Sequence, residues 1–112
     1  MTLTQETVKR EGKGPAAVIS PEGEVDMHES PKLRAALAAE TAKKPSLIIV
    51  DLGRVTFIDS SGVATLVEGL KRAKPAVLAL CGMNAAVKDV FELSRLDKVF
   101  TIYPSRQEAL SA

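Results

Sequence analysis

Val50-Asp51-Leu52-Gly53-Arg54-Val55-Thr56-Phe57-Ile58-Asp59-Ser60-Ser61-Gly62, running on into Val63-Ala64-Thr65-Leu66-Val67, is the stretch that decides the fold. Its lead-in, Leu47-Ile48-Ile49-Val50, is an unbroken apolar run rich in β-branched residues, as in a strand covered on both faces. After Ser60 the period changes. Val63, Leu66, Val67 and Leu70 recur at i, i+3, i+4 and i+7 and share one helical stripe. The stretch therefore reads as a buried strand, a short turn and a helix that opens on a pair of serines. A hydroxyl in the first turn of a helix meets backbone N–H groups without intrahelical partners, at the positive end of the macrodipole. That place suits a helix cap, and it suits a phosphate equally well. On residue chemistry alone, Ser60 is either the N-cap or a phosphorylation site.

Strands and helices alternate to either side. Leu3 to Glu11 is polar with imperfect alternation and fits an exposed edge strand. Gly12-Lys13-Gly14-Pro15 is a turn and Ala16-Ala17-Val18-Ile19-Ser20 a second strand, which makes a hairpin. Pro21-Glu22-Gly23-Glu24-Val25-Asp26 then leaves the sheet as a loop. Ser30-Pro31 places a capping hydroxyl before a proline, and Leu33, Ala36 and Leu37 carry that helix to about Ala42, where Lys43-Lys44-Pro45 stops it. Lys74-Pro75 ends the Ser60 helix, and Ala76-Val77-Leu78-Ala79-Leu80 is another buried strand. Asn84 caps a third helix with Val87, Val90, Phe91 and Ser94 on one stripe. Val99-Phe100-Thr101-Ile102-Tyr103 is a last strand, and Ser105 with Glu108 forms a capping box for a short final helix. The expected product is one α/β domain over residues 1–112. Its mixed sheet opens with an antiparallel hairpin and continues with parallel strands joined by right-handed crossovers, with about four helices.

Composition narrows the functional classes. A chain of 112 residues with 46% hydrophobic and 26% charged residues can build a core without staples. That core is aliphatic, since there is no Trp, one Tyr and three Phe. A net charge of +1 gives no general attraction to nucleic acid or to an anionic membrane. There is no run long enough to cross a bilayer, and Met1-Thr2-Leu3-Thr4-Gln5-Glu6 is not a signal peptide, so a cytoplasmic protein without membrane insertion is expected.

Candidate chemistry elsewhere reduces to ordinary roles. His28-Glu29 supplies the chain's only histidine, which cannot build a zinc site unaided, and no metal or cofactor is expected. Cys81 ends an apolar strand as a small hydrophobe. Gly12-Lys13-Gly14 lacks the spacing of a phosphate loop, and Asp59-Ser60-Ser61-Gly62 lacks the first glycine of a hydrolase elbow. Lys43-Lys44 and Lys71-Arg72-Lys74 end helices, where cations complement the dipole. No base, nucleophile and orienting group assemble, so the chain is read as a non-enzyme.

Taken in order, Gly23-Glu24-Val25-Asp26, Leu47-Ile48-Ile49-Val50-Asp51-Leu52, Phe57-Ile58-Asp59-Ser60-Ser61-Gly62, Ala86-Val87, Phe100-Thr101-Ile102-Tyr103 and Ala109-Leu110 resemble the STAS domain of bacterial anti-anti-sigma factors, the anti-sigma factor antagonists. The resemblance covers nearly the full length. It implies that Ser60 is a phosphoacceptor and that Asp26 lies near it. The partner is then an anti-sigma factor that is itself a serine kinase of the GHKL type, bound by the unphosphorylated domain and released on phosphorylation. A phosphatase of the PP2C type restores binding. The implied partner surface comprises Gly23, Asp26, Asp59, Ser60, Ser61 and Gly62, with Thr65, Glu68 and Lys71 or Arg72 on the outward helix face. Gly62 would leave Ser60 uncrowded. Asp26 could instead be a turn former bonding its own backbone. The free domain is read as monomeric. The alternative the resemblance allows is an unphosphorylated adaptor subunit of a lipid-transporting ABC complex.

Overall fold

Strand β2 (Ala16–Val25) is the hub of a six-stranded sheet. On one side it pairs antiparallel with β1 (Thr2–Val8), from Thr2↔Glu22 to Val8↔Ala16. On the other it takes two parallel partners in succession. β3 (Leu47–Asp51) runs beside Ala16–Ile19, and β4 (Arg54–Ile58) runs beside Glu22–Val25. Beyond β3 lie β5 (Val77–Cys81) and β6 (Thr101–Tyr103), both parallel, giving the order β1-β2-β3-β5-β6. The computed structural model describes residues 1–112.

Alternation along the strands sends residues to two cores. Ile19, Ile48, Val50, Leu78 and Leu80 meet α1 (Ser30–Ala42), α2 (Ser60–Ala73) and α3 (Ala85–Leu93) on one face. Ala16, Val18, Leu47, Ile49, Ala79 and Cys81 meet Ala109 of α4 (Arg106–Ser111) on the other. With no Trp to fill the larger core, Phe91 of α3 and Phe100 close one end of it as an edge-to-face pair at 5.7 Å. Burial pushes the Cys81 thiol up to about 12, so it behaves as the small hydrophobe expected from its position.

The structure corrects the sequence reading at four places. Pro21 to Val25 stays in the sheet instead of looping out. Pro21 falls between the last β3 pair, Ile19↔Val50, and the first β4 pair, Glu22↔Arg54, where a residue without an N–H is tolerated. Gly23 takes φ +92° at a bulge within the β2–β4 pairing, where the register shifts by one residue and Thr56 is passed over between Gly23↔Val55 and Glu24↔Phe57. Arg54–Ile58, read as part of a turn, is a strand. Ser30 does not cap α1: Glu29 holds that position without a side-chain capping bond, while Asp26 Oδ1 accepts from His28 N and Glu29 N, both at 3.0 Å. The last strand is also shorter than expected, because Leu96–Lys98 forms a 3-10 turn first.

Candidate functional site

Val25 and Ile58 are a pair across β2 and β4, so the residues that follow them, Asp26 and Asp59, leave the sheet side by side. Each carboxylate sits at a helix start, Asp26 before α1 and Asp59 at the N-cap of α2. The carboxyl ends of adjacent parallel strands, with two helix N-termini above them, are where ligands gather in open α/β sheets. The Asp59 N–H donates to Val25 O at 3.2 Å. The two loops are thereby tied together.

Asp59 organises the first turn of α2. Its Oδ1 accepts from Ser61 N at 2.9 Å, Gly62 N at 3.1 Å and Ser61 Oγ at 2.5 Å, and its carbonyl accepts from Val63 N at 3.1 Å. The Ser61 hydroxyl bond is the main reason its carboxyl lies below the ordinary value, with the backbone donors adding to it and burial opposing. The cap is therefore Asp59, and Ser60 is the first residue inside the helix. Ser60 is exposed, and its hydroxyl makes no hydrogen bond within the chain. The two serines, inseparable by sequence physics, differ in structure: Ser61 is engaged and half-buried, Ser60 free.

Three expectations for the surrounding surface change. Gly62 is buried and faces inward, where a Cβ would stand 2.7 Å from Ile58 Cγ1 and 2.9 Å from both Val25 Cγ1 and Val25 O. It brings α2 against the strand ends and does nothing for access to Ser60. Thr65 is 1% exposed, with its hydroxyl donating to Ser61 O at 2.9 Å, so it is not on the outward face. The outward residues are Glu68, which pairs with Arg34 and Arg72, and Lys71. The first-turn N–H groups expected to receive a phosphate already bind Asp59. Gly23 lies one strand position beyond Glu22 in the sheet and is half-buried, and Asp26 has turn-former bonds while remaining beside the α2 start.

Sequence reasoning missed the groove next to Ser60. The small residues Gly62, Gly69 and Ala73, with Val63, Thr65 and Leu66, are the buried residues of α2. Val63, Ala64 and Val67 are thereby turned toward α3. With Val90, Leu93, Leu96, Ser60 and Ser94 they line an open apolar groove of about 670 Å³. Leu93 is 86% exposed, and Met27, 70% exposed, stands in the loop that follows Val25, whose carbonyl binds Asp59 N. An exposed apolar surface of this kind marks an interaction site. The hint in the sequence was an apolar arc too wide for a helix whose closest approach to the sheet is at glycines.

No helix is long and apolar enough to cross a membrane, and no group of three or more His, Cys, Asp or Glu is placed to hold a metal. The STAS domain family model matches residues 7–109. BtrV of Bordetella bronchiseptica, named as an anti-sigma factor antagonist, is 34% identical over 93 residues, 81% of this chain and 80% of its own. The anti-sigma-B factor antagonist of Listeria monocytogenes is 29% identical over 82 residues, 71% of this chain and 72% of its own. Among solved structures, an anti-sigma factor antagonist from Mycobacterium paratuberculosis superposes with TM-score 0.84 at 29% identity, covering 98% of this chain and 92% of that one. The Bacillus cell fate determinant SpoIIAA in its phosphorylated form superposes with TM-score 0.72 at 25% identity, covering 98% and 97%. With its sheet order, its helices and nearly its whole length accounted for in this way, the chain belongs to the STAS domain family.

Proposed function

We propose that this chain is an anti-sigma factor antagonist working by partner switching in the cytoplasm. Its unphosphorylated form binds an anti-sigma factor that is a GHKL-type serine kinase, phosphorylation of Ser60 ends the binding, and a PP2C-type phosphatase restores it. The chain is a protein substrate in this circuit and not a catalyst. The observation that carries the reading is the difference between the two serines: Asp59 locks the Ser61 hydroxyl, while the exposed Ser60 hydroxyl is free beside an apolar groove. The names of the relatives and the phosphorylated form of SpoIIAA support it.

The physical switch is electrostatic. A phosphoserine adds roughly −1.5 to −2 charges. At Ser60 it would stand next to an ionised Asp59 that has already taken the first-turn donors. The added charge would face Asp59 and the Asp26 loop with little local compensation, and a partner docked over Ser60 would be repelled without refolding of the domain. Asp26, Asp59 and the groove residues Ala64, Val67 and Leu93 make up the partner surface.

The test uses wild type, Ser60→Asp and Ser61→Ala as parallel baits in the native lysate, read by mass spectrometry. Capture of a serine-kinase anti-sigma factor by wild type and Ser61→Ala, lost with Ser60→Asp, is the expected result. Capture of one ABC ATPase by all three baits would replace this reading with the adaptor role.

A further inference from the structure

Cations that the sequence scatters over three segments meet at one end of the molecule. The strand order and crossovers put the β1–β2 turn, the C-terminus of α1 and the C-terminus of α2 at the amino ends of the parallel strands, opposite Ser60. Lys44, Arg72 and Lys74 line a cavity of about 370 Å³ with Pro45 and Pro75. Arg10 reaches the same region by donating to Ser46 Oγ at 3.1 Å. Lys9, Lys13, Lys43 and Lys71 complete a group of eight cations. Within it, Arg72 is paired with Glu68 and Lys43 with Glu40. Lys9, Arg10, Lys44, Lys71 and Lys74 have no carboxylate partner, and all but Arg10 are exposed; Lys13, also exposed, donates to Ser111 O at 3.2 Å and Ala112 O at 2.6 Å. Of the acids without a cation partner, Glu24, Asp26 and Asp59 surround the Ser60 surface, while Glu11 stands in the β1–β2 turn among Lys9, Arg10 and Lys13. A chain of net charge +1 is thus divided into a basic and an acidic pole.

We infer that the basic pole docks the domain reversibly on an anionic lipid surface, with Ser60 facing away. Two helix C-termini need a cation or two each, and the group exceeds that. The composition favours a lipid surface over other polyanions. Six of the eight cations are lysines, compact point charges suited to a diffuse anionic plane more than to bidentate phosphate contacts. A duplex would call for a helix or ribbon presented along a groove, and a single strand for aromatic platforms. The pole presents helix ends, and its one nearby aromatic, Tyr103, is half-buried. An acidic protein partner would be met by an apolar centre inside a polar rim, and at the amino ends of β5 and β6 the exposed large apolar side chains are only Val77 and Val99. The acidic pole is repelled by the same surface. Since α2 separates Ser60 from Lys74 by about 20 Å, twice the Debye length at moderate salt, the two ends respond independently.

The experiment is co-sedimentation of the full chain with vesicles of phosphatidylcholine alone and of phosphatidylcholine mixed with phosphatidylglycerol, at low and high salt. Wild type should sediment with the mixed vesicles only, and release at high salt. Lys44→Glu/Lys71→Glu/Lys74→Glu should lose partitioning by at least about 100-fold, from roughly fivefold per cation near the surface. Lys88→Glu/Arg95→Glu/Lys98→Glu, with the same net charge but on and after α3, should stay within a few-fold of wild type. Absence of sedimentation with anionic vesicles would overturn the inference, as would equal loss in both triple variants. Tighter binding of wild type to duplex DNA than to mixed vesicles would reassign the pole to nucleic acid. The wild-type salt response stands as a test even where a variant fails to fold.

Discussion

The Asp59 carboxylate gathers Ser61 N, Gly62 N and the Ser61 hydroxyl, and its pKa in the fold lies below its ordinary 3.8, chiefly through the hydroxyl bond. A carboxyl group lowered in this way adds stability that is fully present above its unfolded pKa and disappears as pH falls through the folded one. The affected window therefore lies below about pH 4. Asp59→Asn keeps a capping oxygen but removes the titrating group. Thermal unfolding of both proteins from neutral pH to about pH 2 should show wild type ahead at neutrality and the gap closing in that acid window. A gap independent of pH would show that the carboxylate charge adds nothing. Glu29 is also lowered, by its bonds to the N-terminal amine and Lys32, but it acts in both proteins and cancels. Three positions further on, Gly62 separates packing from propensity. Gly→Ala in an open helix position gains up to about 1 kcal/mol. Here the new methyl meets Val25 O, which already binds Asp59 N and cannot move away freely. Gly62→Ala should lose about 1–3 kcal/mol in urea unfolding, and a gain would refute the close approach.

Among the elements, β4 and α3 are joined by one side chain. Asn84 caps α3 by accepting from Val87 N at 2.9 Å and donates to Val55 O of β4 at 3.0 Å. Asn84→Ala removes both bonds and should cost about 1–2 kcal/mol, while Asn84→Asp keeps the cap, loses the donor and should fall between Ala and wild type. Urea titrations of the three proteins check the order; equal losses for Ala and Asp would mean that the cap contributes nothing. The cap at Asn84 was legible in the sequence because capping is local, and so were Ser105 before α4 and the apolar strands β3 and β5. β4 was not. Its residues Thr56 and Phe57 are exposed, it follows Gly53 directly, and its only sheet partner is the far half of β2. That half was hidden in turn by Pro21 and Gly23, residues that signal a break unless a second partner strand is waiting. The site was legible to the same degree. Asp59-Ser60-Ser61-Gly62 marks a helix start in any reading, but which serine is free depends on a carboxylate rotamer. The groove depends on which side of α2 the glycines turn to the sheet.

For the molecule as a whole, the sheet separates the α4 face from the face that carries the proposed recognition surface. Ser60, the groove and the Asp26 loop belong to the α1–α3 side, while α4 stands alone on the other. Arg106 fixes α4 there: it donates to Asp51 Oδ2 at 2.9 Å on β3 and to Ser20 Oγ at 2.7 Å on β2, and it pairs with Glu6 on β1 at 2.5 Å. The guanidinium is partly exposed, so each ion pair contributes modestly, but Asp51 is largely covered and would lose its charged partner. Arg106→Ala should therefore cost about 1–2 kcal/mol overall. It should also raise amide exchange selectively in α4, whose apolar anchors are Ala109 and the half-buried Leu110. Partner capture by the proposed Ser60 surface should stay within about twofold of wild type, because Arg106 bonds Asp51, Ser20 and Glu6 and makes no bond to the α2 start. Hydrogen exchange and a binding titration on the same variant decide it. Faster exchange spread evenly over α1–α3, or a partner affinity falling with the stability, would mean that the two faces are coupled through the sheet.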